Sequence, residues 1–265
     1  MATMGKQRAQ QTLEIAKAAG EQILQVYENA FSVEFKDDRS PLTAADLAAH
    51  RVIAQGLGNL DPDVPILSEE GADIPFETRR NWHRYWLVDP LDGTREFVKR
   101  NGEFTVNIAL VEHGQAVLGV VHVPVTGVSY VGVLGEGAWK IVGDGDWMPI
   151  AVRGRRATPT QVAGSRSHAG DSLARFLSRL GPHEIVSMGS SLKLCLVAEG
   201  RADVYPRLGP TSEWDTAAAQ AVVEAAGGRV TDTELHPLRY NTKESLLNPH
   251  FIVFGDLNEN WARFL

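Results

Sequence analysis

Three β-rich runs, at residues 104–111, 116–123 and 128–133, follow one another with only the turn signals His113-Gly114 and Thr126-Gly127 between them. Connections that short leave no room for a crossover helix, so the three runs are expected to pair as an antiparallel meander. Everything else must pack around that sheet. Upstream, apolar residues recur at helical spacing from Gln11 to Ala30 and again after Pro41 through Leu47, Ile53 and Leu57, ending near Gly58-Asn59. Two helices are therefore expected before the first strand signals, 64–67 and 86–88. Downstream, after the turn-rich and charged stretches 143–149 and 153–159, helical and β patterns alternate: helices at 172–180, 191–199 and 216–226, strands at 184–187, 202–205 and 229–231. This rhythm predicts an α/β second lobe after an α+β first lobe, with the division at 1–152 and 153–265.

Size and charge narrow the function. A chain of 265 residues, 43% hydrophobic and 22% charged, is long enough to bury a large core without a disulfide or structural metal. Cys195 is the only cysteine and lies in an apolar run, which excludes a thiolate zinc site within one chain. No apolar stretch reaches the roughly 18–20 residues that span a bilayer, and the first residues do not read as a secretory signal. A cytoplasmic protein is expected. With 26 Lys and Arg against 33 Asp and Glu, the net charge of −7 argues against broad nucleic-acid binding.

Four acidic positions fall at the end of an expected strand or the start of an expected helix: Glu69, Asp89, Asp92 and Asp215. Oxygen ligands without histidine or cysteine companions suit a hard cation, Mg²⁺ above all. Each has a plainer alternative: Asp89-Pro90 and Asp92-Gly93 are ordinary turn dipeptides, Asp215 could cap a helix, and Glu69-Glu70 could be a solvated loop. Gly93-Thr94 adds a second signal. If Thr94 opens a helix, the free N–H groups of its first turn form an anion site beside the carboxylates, so that metal and phosphate would share one pocket. Asp46 is the candidate base for an attacking water, although Thr43-Ala44-Ala45-Asp46 also fits a helix capping box. Asp89 and Asp92 are three apart, whereas an aspartyl-phosphate enzyme needs Asp-x-Asp. The sequence holds no Gly-x-Ser-x-Gly elbow, Gly-x-Gly-x-x-Gly fingerprint or Walker A loop.

Asp89-Pro-Leu-Asp-Gly-Thr94 resembles the first signature of the lithium-sensitive, magnesium-dependent phosphomonoesterases of the inositol monophosphatase superfamily. Trp214-Asp215-Thr216-Ala217-Ala218, leading to Ala225-Ala-Gly-Gly228, resembles the second. The stretch 92–110, with Ser165-Arg-Ser-His168, Gly189-Ser-Ser-Leu-Lys193 and Pro206-Arg-Leu-Gly-Pro210, is similar to the 3'(2'),5'-bisphosphate nucleotidases within it. The resemblance implies the αβαβα sandwich of that superfamily and hydrolysis of 3'-phosphoadenosine 5'-phosphate to AMP and phosphate, a step linked to sulfate assimilation. It also implies two or three Mg²⁺ ions held by Glu69, Asp89, the carbonyl of Leu91, Asp92 and Asp215. Catalysis would fall to Glu69, Thr94 and Asp46, with Gly93 and Thr94 on the scissile phosphate. Ser165, His168, Ser190 and Lys193 would touch the nucleotide, although Lys193 could instead snorkel from an apolar helix. Arg95 stands where Lys or Thr is common.

The resemblance further implies a small-molecule partner, no nucleic acid, no obligate protein partner and a monomer or homodimer. Some bacterial relatives are described at the cytoplasmic face of the inner membrane, but this chain shows no basic amphipathic helix to anchor it there. Inositol monophosphatase and fructose-1,6-bisphosphatase activities are the alternatives on the same scaffold. A non-catalytic metal- and anion-binding regulator is the alternative outside enzymes.

Overall fold

Alternation along the strands sorts the side chains into layers. The computed structural model describes residues 3–28, 33–35, 41–164 and 171–265. The chain opens with α1 (Met4–Glu28), a small hairpin of β1 (Val33–Phe35) and β2 (Pro41–Thr43), and α2 (Ala44–Leu60). Then come β3 (Ile66–Ser68), the short α3 (Phe76–Arg79), β4 (Arg84–Asp92), α4 (Thr94–Val98), β5 (Thr105–Glu112), β6 (Gln115–Val123), β7 (Val128–Val133), β8 (Gly137–Val142) and β9 (Met148–Ile150). These strands form a seven-stranded sheet in sequence order, β3 parallel to β4 and every later pair antiparallel. The remainder is β10 (Thr160–Gly164), α5 (Asp171–Leu180), β11 (His183–Ser187), α6 (Leu192–Ala198), β12 (Val204–Arg207), α7 (Ala217–Ala225), β13 (Arg229–Asp232) and β14 (Phe251–Phe254). Its five strands lie in the order β11-β10-β12-β14-β13, parallel at one side and antiparallel at the other.

On β4, Trp86 and Val88 join a core with Leu13, Ile23, Ile53 and Leu57 from α1 and α2. Their neighbours Tyr85 and Leu87 join Leu194 and Val197 of α6 and Ala218 and Val222 of α7 on the opposite face, as a period of two demands. That second core continues to Tyr205 of β12 and to Phe251 and Val253 of β14. The far face of the smaller sheet, Val204, Ile252 and Phe254, packs on Phe176 and Leu180 of α5 and on Trp261 and Phe264 of the C-terminal turn. The order is helices, sheet, helices, sheet, helix, the αβαβα layering expected. No helix among the described residues is long and apolar enough to cross a membrane.

The antiparallel meander appears as β5, β6 and β7, and both opening helices are present. β8 falls in residues 137–142, to which no element was assigned, and β9 begins inside the stretch 143–149 read as turns; in β8 Ala138 and Ile141 are buried while Gly137 before them and Lys140 between them interrupt the apolar pattern. β10 and β14 were also not anticipated. β14 inserts antiparallel beside β12 and makes the smaller sheet mixed.

α7 lies so close to the large sheet that two glycines are obligatory. A Cβ on Gly119 of β6 would sit 2.0 Å from the carbonyl oxygen of Ala218, and one on Gly132 of β7 would sit 2.5 Å from the Cα of Val222. The two glycines are register partners. Gly119→Ala is therefore expected to destabilise the protein by about 2–3 kcal/mol or more, the range of forced overpacking. Gly58→Ala, in α2 with open space where its Cβ would go, should stabilise by about 0.5–1 kcal/mol. Urea titrations of both variants measure the contrast.

Candidate active site

β4 ends in the site. Its pairing with β5 runs in register to Asp89↔Asn107, slips across Pro90 and Leu91, and resumes at Asp92↔Thr105. Proline cannot donate to the ladder, so the irregularity falls where the sequence puts it. Leu91 N–H turns back to Asp89 Oδ1 at 3.0 Å. Gly93 follows with φ of 91° and leads into α4. A left-handed residue is needed at this corner, and a Cβ there would also press on the Glu103 carbonyl and on Ser190 at 3.4 Å.

Asp215 comes from the turn before α7. It does not cap that helix: its Oδ2 accepts the N–H of Ser212 at 3.0 Å, and Thr216 holds the cap position, its hydroxyl turned to the Glu213 carbonyl rather than to a helix N–H. One carboxylate oxygen from each of Asp89, Asp92 and Asp215 lies within 4.8 Å of the other two. Asp89 is buried, 1% exposed, and the other two are half-buried. Glu69, at the end of β3 beside β4, is not among these three, yet its charge bears on all of them.

Burial and then the neighbouring charges of Glu69, Asp92, Asp215 and Asp46 hold the Asp89 carboxyl well above the usual carboxylate range. Burial, then Asp92 and Glu69, push Asp215 up to about 8. Asp92 rises only to about 6, because burial is opposed by the Lys193 ammonium and by hydrogen bonds from Ser191 and Asn107. Among the described residues no Lys or Arg forms an ion pair with these three. Crowded carboxylates of one sign, with oxygen the only donor type, fit a bound divalent cation, whose charge reverses the local repulsion.

Beside the cluster is a cleft of about 150 Å³ reached by Asp92, Gly93, Ser190, Lys193, Arg207 and Asp215. Ser190 has φ of 45°, and its Oγ is buried without a hydrogen-bond partner. Lys193, 8% exposed, does not snorkel to water: its Nζ donates to the Ser190 carbonyl at 2.6 Å and lies over the Tyr205 ring. Burial lowers its pKa against the raising effect of Asp92. Asp46 is in the first turn of α2, 1% exposed, and its charge reaches Asp89. Thr94 is half-buried at the start of α4, which packs on β2 just ahead of Asp46. Ser165 and His168 lie outside the described residues, as does the side chain of Thr43 and with it the capping-box alternative.

Four residues of the site carried no assigned role in the sequence reading. Tyr205 and Arg207 line the cleft, Arg207 held by bonds to Thr211 Oγ1 (2.7 Å) and the Pro210 carbonyl (2.8 Å). Asn107 and Ser191 bond to Asp92. A lone asparagine inside the apolar run 104–111 was the available signal for Asn107, since a buried amide must be satisfied by something.

The chain belongs to the inositol monophosphatase family, whose model matches residues 6–260. Within that class it is similar to "3'(2'),5'-bisphosphate nucleotidase CysQ" of Escherichia coli K12, 54% identical over 246 residues, covering 92% of this chain and 98% of that protein. The Salmonella typhimurium protein of the same name is 53% identical over 247 residues, with the same coverage of both. Among solved structures, CysQ from Bacteroides thetaiotaomicron superposes with a TM-score of 0.82 at 44% identity, covering 94% of this chain and 97% of that one. Inositol monophosphatase from Anabaena gives 0.77 at 26% identity, covering 99% and 96%.

The raised carboxyls fix the sign of a pH effect. A carboxyl that holds its proton in the folded state to higher pH than in the unfolded chain stabilises fully below the unfolded value, and that contribution is lost as pH rises through the folded one. For Asp92 and Asp215 the window runs from about pH 4 to the values of about 6 and about 8. Cation-free protein should therefore melt at lower temperature at pH 8 than at pH 5. Added Mg²⁺ should raise the melting temperature more at pH 8, because protons and cation compete for the same oxygens. Calorimetry at the two pH values, with chelator and with Mg²⁺, reads both effects.

Proposed function

We propose that the chain is a Mg²⁺-dependent phosphomonoesterase that removes the 3'-phosphate of a nucleoside 3',5'-bisphosphate, 3'-phosphoadenosine 5'-phosphate in the first place, leaving AMP and phosphate. The observation that carries this reading is the Asp89, Asp92 and Asp215 cluster opening onto a cleft that also holds two cationic side chains, Lys193 and Arg207. A nucleoside bisphosphate has a second phosphate to place; inositol 1-phosphate has none. The identity to the CysQ nucleotidases over nearly the whole chain supports the same substrate class.

In this reading Glu69, Asp89, the Leu91 carbonyl, Asp92 and Asp215 hold two or three Mg²⁺ ions. When bound, such ions neutralise the phosphoryl oxygens and make a coordinated water more acidic. The chain's own residues do the rest. Gly93, with no side chain in the way, and Thr94 offer main-chain N–H groups to the scissile phosphate. Thr94 Oγ1 and the Asp46 carboxylate orient the attacking water, and Asp46 takes its proton, with Glu69 assisting. Ser190 and Lys193, with Ser165 and His168, face the nucleotide. A chain with these roles belongs in the cytoplasm beside sulfate assimilation, acts without an obligate protein partner as a monomer or homodimer, and divides into a lobe of residues 1–152 that carries most ligands and a lobe of residues 153–265 that carries Asp215.

Phosphate release from 3'-phosphoadenosine 5'-phosphate, inositol 1-phosphate and fructose 1,6-bisphosphate, measured in parallel with Mg²⁺, tests the substrate. The nucleotide should be preferred by at least an order of magnitude in kcat/KM, and Li⁺ should suppress its turnover. Preference for either of the others overturns the substrate assignment; no release from any of them, with Mg²⁺ bound, overturns the enzyme reading. Asp46→Asn should lower kcat by more than about 100-fold, the scale of general base catalysis. Thr43→Ala should leave kcat within a fewfold. Equal mild losses in both would reduce Asp46 to a helix cap.

A further inference from the structure

The two oxygens of Asp92 have unequal surroundings. Oδ2 accepts the main-chain N–H of Ser191 at 2.5 Å and the Asn107 Nδ2 amide at 3.5 Å, whereas Oδ1 takes no hydrogen bond among the described residues. Behind Oδ2 the polar groups continue in one chain. The Ser191 hydroxyl donates to Asn107 Oδ1 at 2.9 Å, and Ser191 Oγ lies 2.9 Å from the Thr105 hydroxyl. All three residues are buried, none more than 2% exposed.

The proton count orders this chain. A serine hydroxyl has one proton, and Ser191 gives it to Asn107 Oδ1, so Thr105 must be the donor between Thr105 and Ser191. With its oxygen so engaged, the Asn107 amide has only its NH₂ side to turn toward Asp92. Flipping the amide would set its oxygen against a carboxylate oxygen, two acceptors with no proton between them, an unfavourable arrangement in a buried site. The strand register supplies the framework: Thr105 and Asn107 are two apart on β5, on one face, directly opposite Asp92 and Asp89.

We propose that Asn107 and Ser191, oriented by Thr105, are positioning residues for the cation site: they fasten Asp92 by Oδ2 and so present Oδ1 in one orientation to the divalent cation. The inference rests on the reading of Asp92 as a cation ligand. It also gives Ser191 a second task. The same N–H that fixes Asp92 belongs to the residue after Ser190, so a cation ligand and the turn on the substrate side of the cleft share one hydrogen-bonded unit. Glu103 fastens the other end of that turn by accepting the N–H of Gly189 at 2.8 Å.

The test is direct binding of Mn²⁺, followed by electron paramagnetic resonance and calorimetry on chelator-treated protein without substrate. Ser191→Ala and Asn107→Leu should each weaken Mn²⁺ binding by about tenfold, the lower end of what is lost when a group orienting a metal ligand is removed. The double variant should lose little more than either single one, because the groups act in series. Ser191→Thr, which keeps the hydroxyl, should retain wild-type affinity. A merely structural role would lower the melting temperature of the cation-free protein and leave Mn²⁺ affinity within twofold, and that result overturns the proposal. Should Asn107→Leu fail to fold, the comparison of Ser191→Ala with Ser191→Thr decides alone. Wild-type protein that binds Mn²⁺ and hydrolyses none of the three phosphate esters would end the functional reading while leaving the positioning role intact. Variants that bind as wild type does would end the positioning role and leave the functional reading standing. Wild-type protein that binds no Mn²⁺ overturns both.

Discussion

Three carboxylates that repel one another are held within a few ångströms, and much of the fold serves to keep them there. Two stand at the end of one strand and the third on the turn before a helix far later in the chain. Left alone, such a cluster resists folding, as the raised Asp89 and Asp215 carboxyls show. A divalent cation turns the same repulsion into a binding energy. Glu69 and Asp46 add charge from two further elements, so four separate pieces of chain bring acidic groups to one place.

How the chain brings them together follows from the layers. β4 is central to one face of the large sheet's helical cover and to the other: Trp86 and Val88 face α1 and α2, Tyr85 and Leu87 face α6 and α7. A strand buried on both sides cannot slip, and its last residues emerge at a fixed place. The next strand carries the polar residues Thr105 and Asn107 where apolar side chains would otherwise continue the run, and both are spent on Asp92 and on Ser191.

Much of this was legible in the sequence. The meander announced itself by short turns, the two opening helices by their period, and the acids by standing at element ends. What stayed hidden has a physical reason in each case. β14 is a four-residue apolar run near the C-terminus, and only its neighbours β12 and β13 make it a strand. Asn107 sits in a β pattern whose period is set by its apolar neighbours, and the partner that explains it, Ser191, is 84 residues away. The capping reading of Asp215 failed because its carboxylate turns back to Ser212, a choice local spacing does not encode. The opposite error threatened Lys193: a lysine in an apolar helix suggests a route to water, whereas here its ammonium ends on a carbonyl inside the cleft.

The glycines of β6 and β7 lie well behind the carboxylates, yet they govern the same site. With backbone against backbone, α7 has no cushion of side chains on which to slide or tilt, and Asp215 rides on its N-terminal turn. The main-chain position of Asp215 relative to β4 is thus set by the contact of helix backbone on strand backbone. A side chain beneath a helix can repack when the helix is pushed; a main chain cannot, so whatever sits between the three carboxyls meets an Asp215 whose helix has no room to retreat.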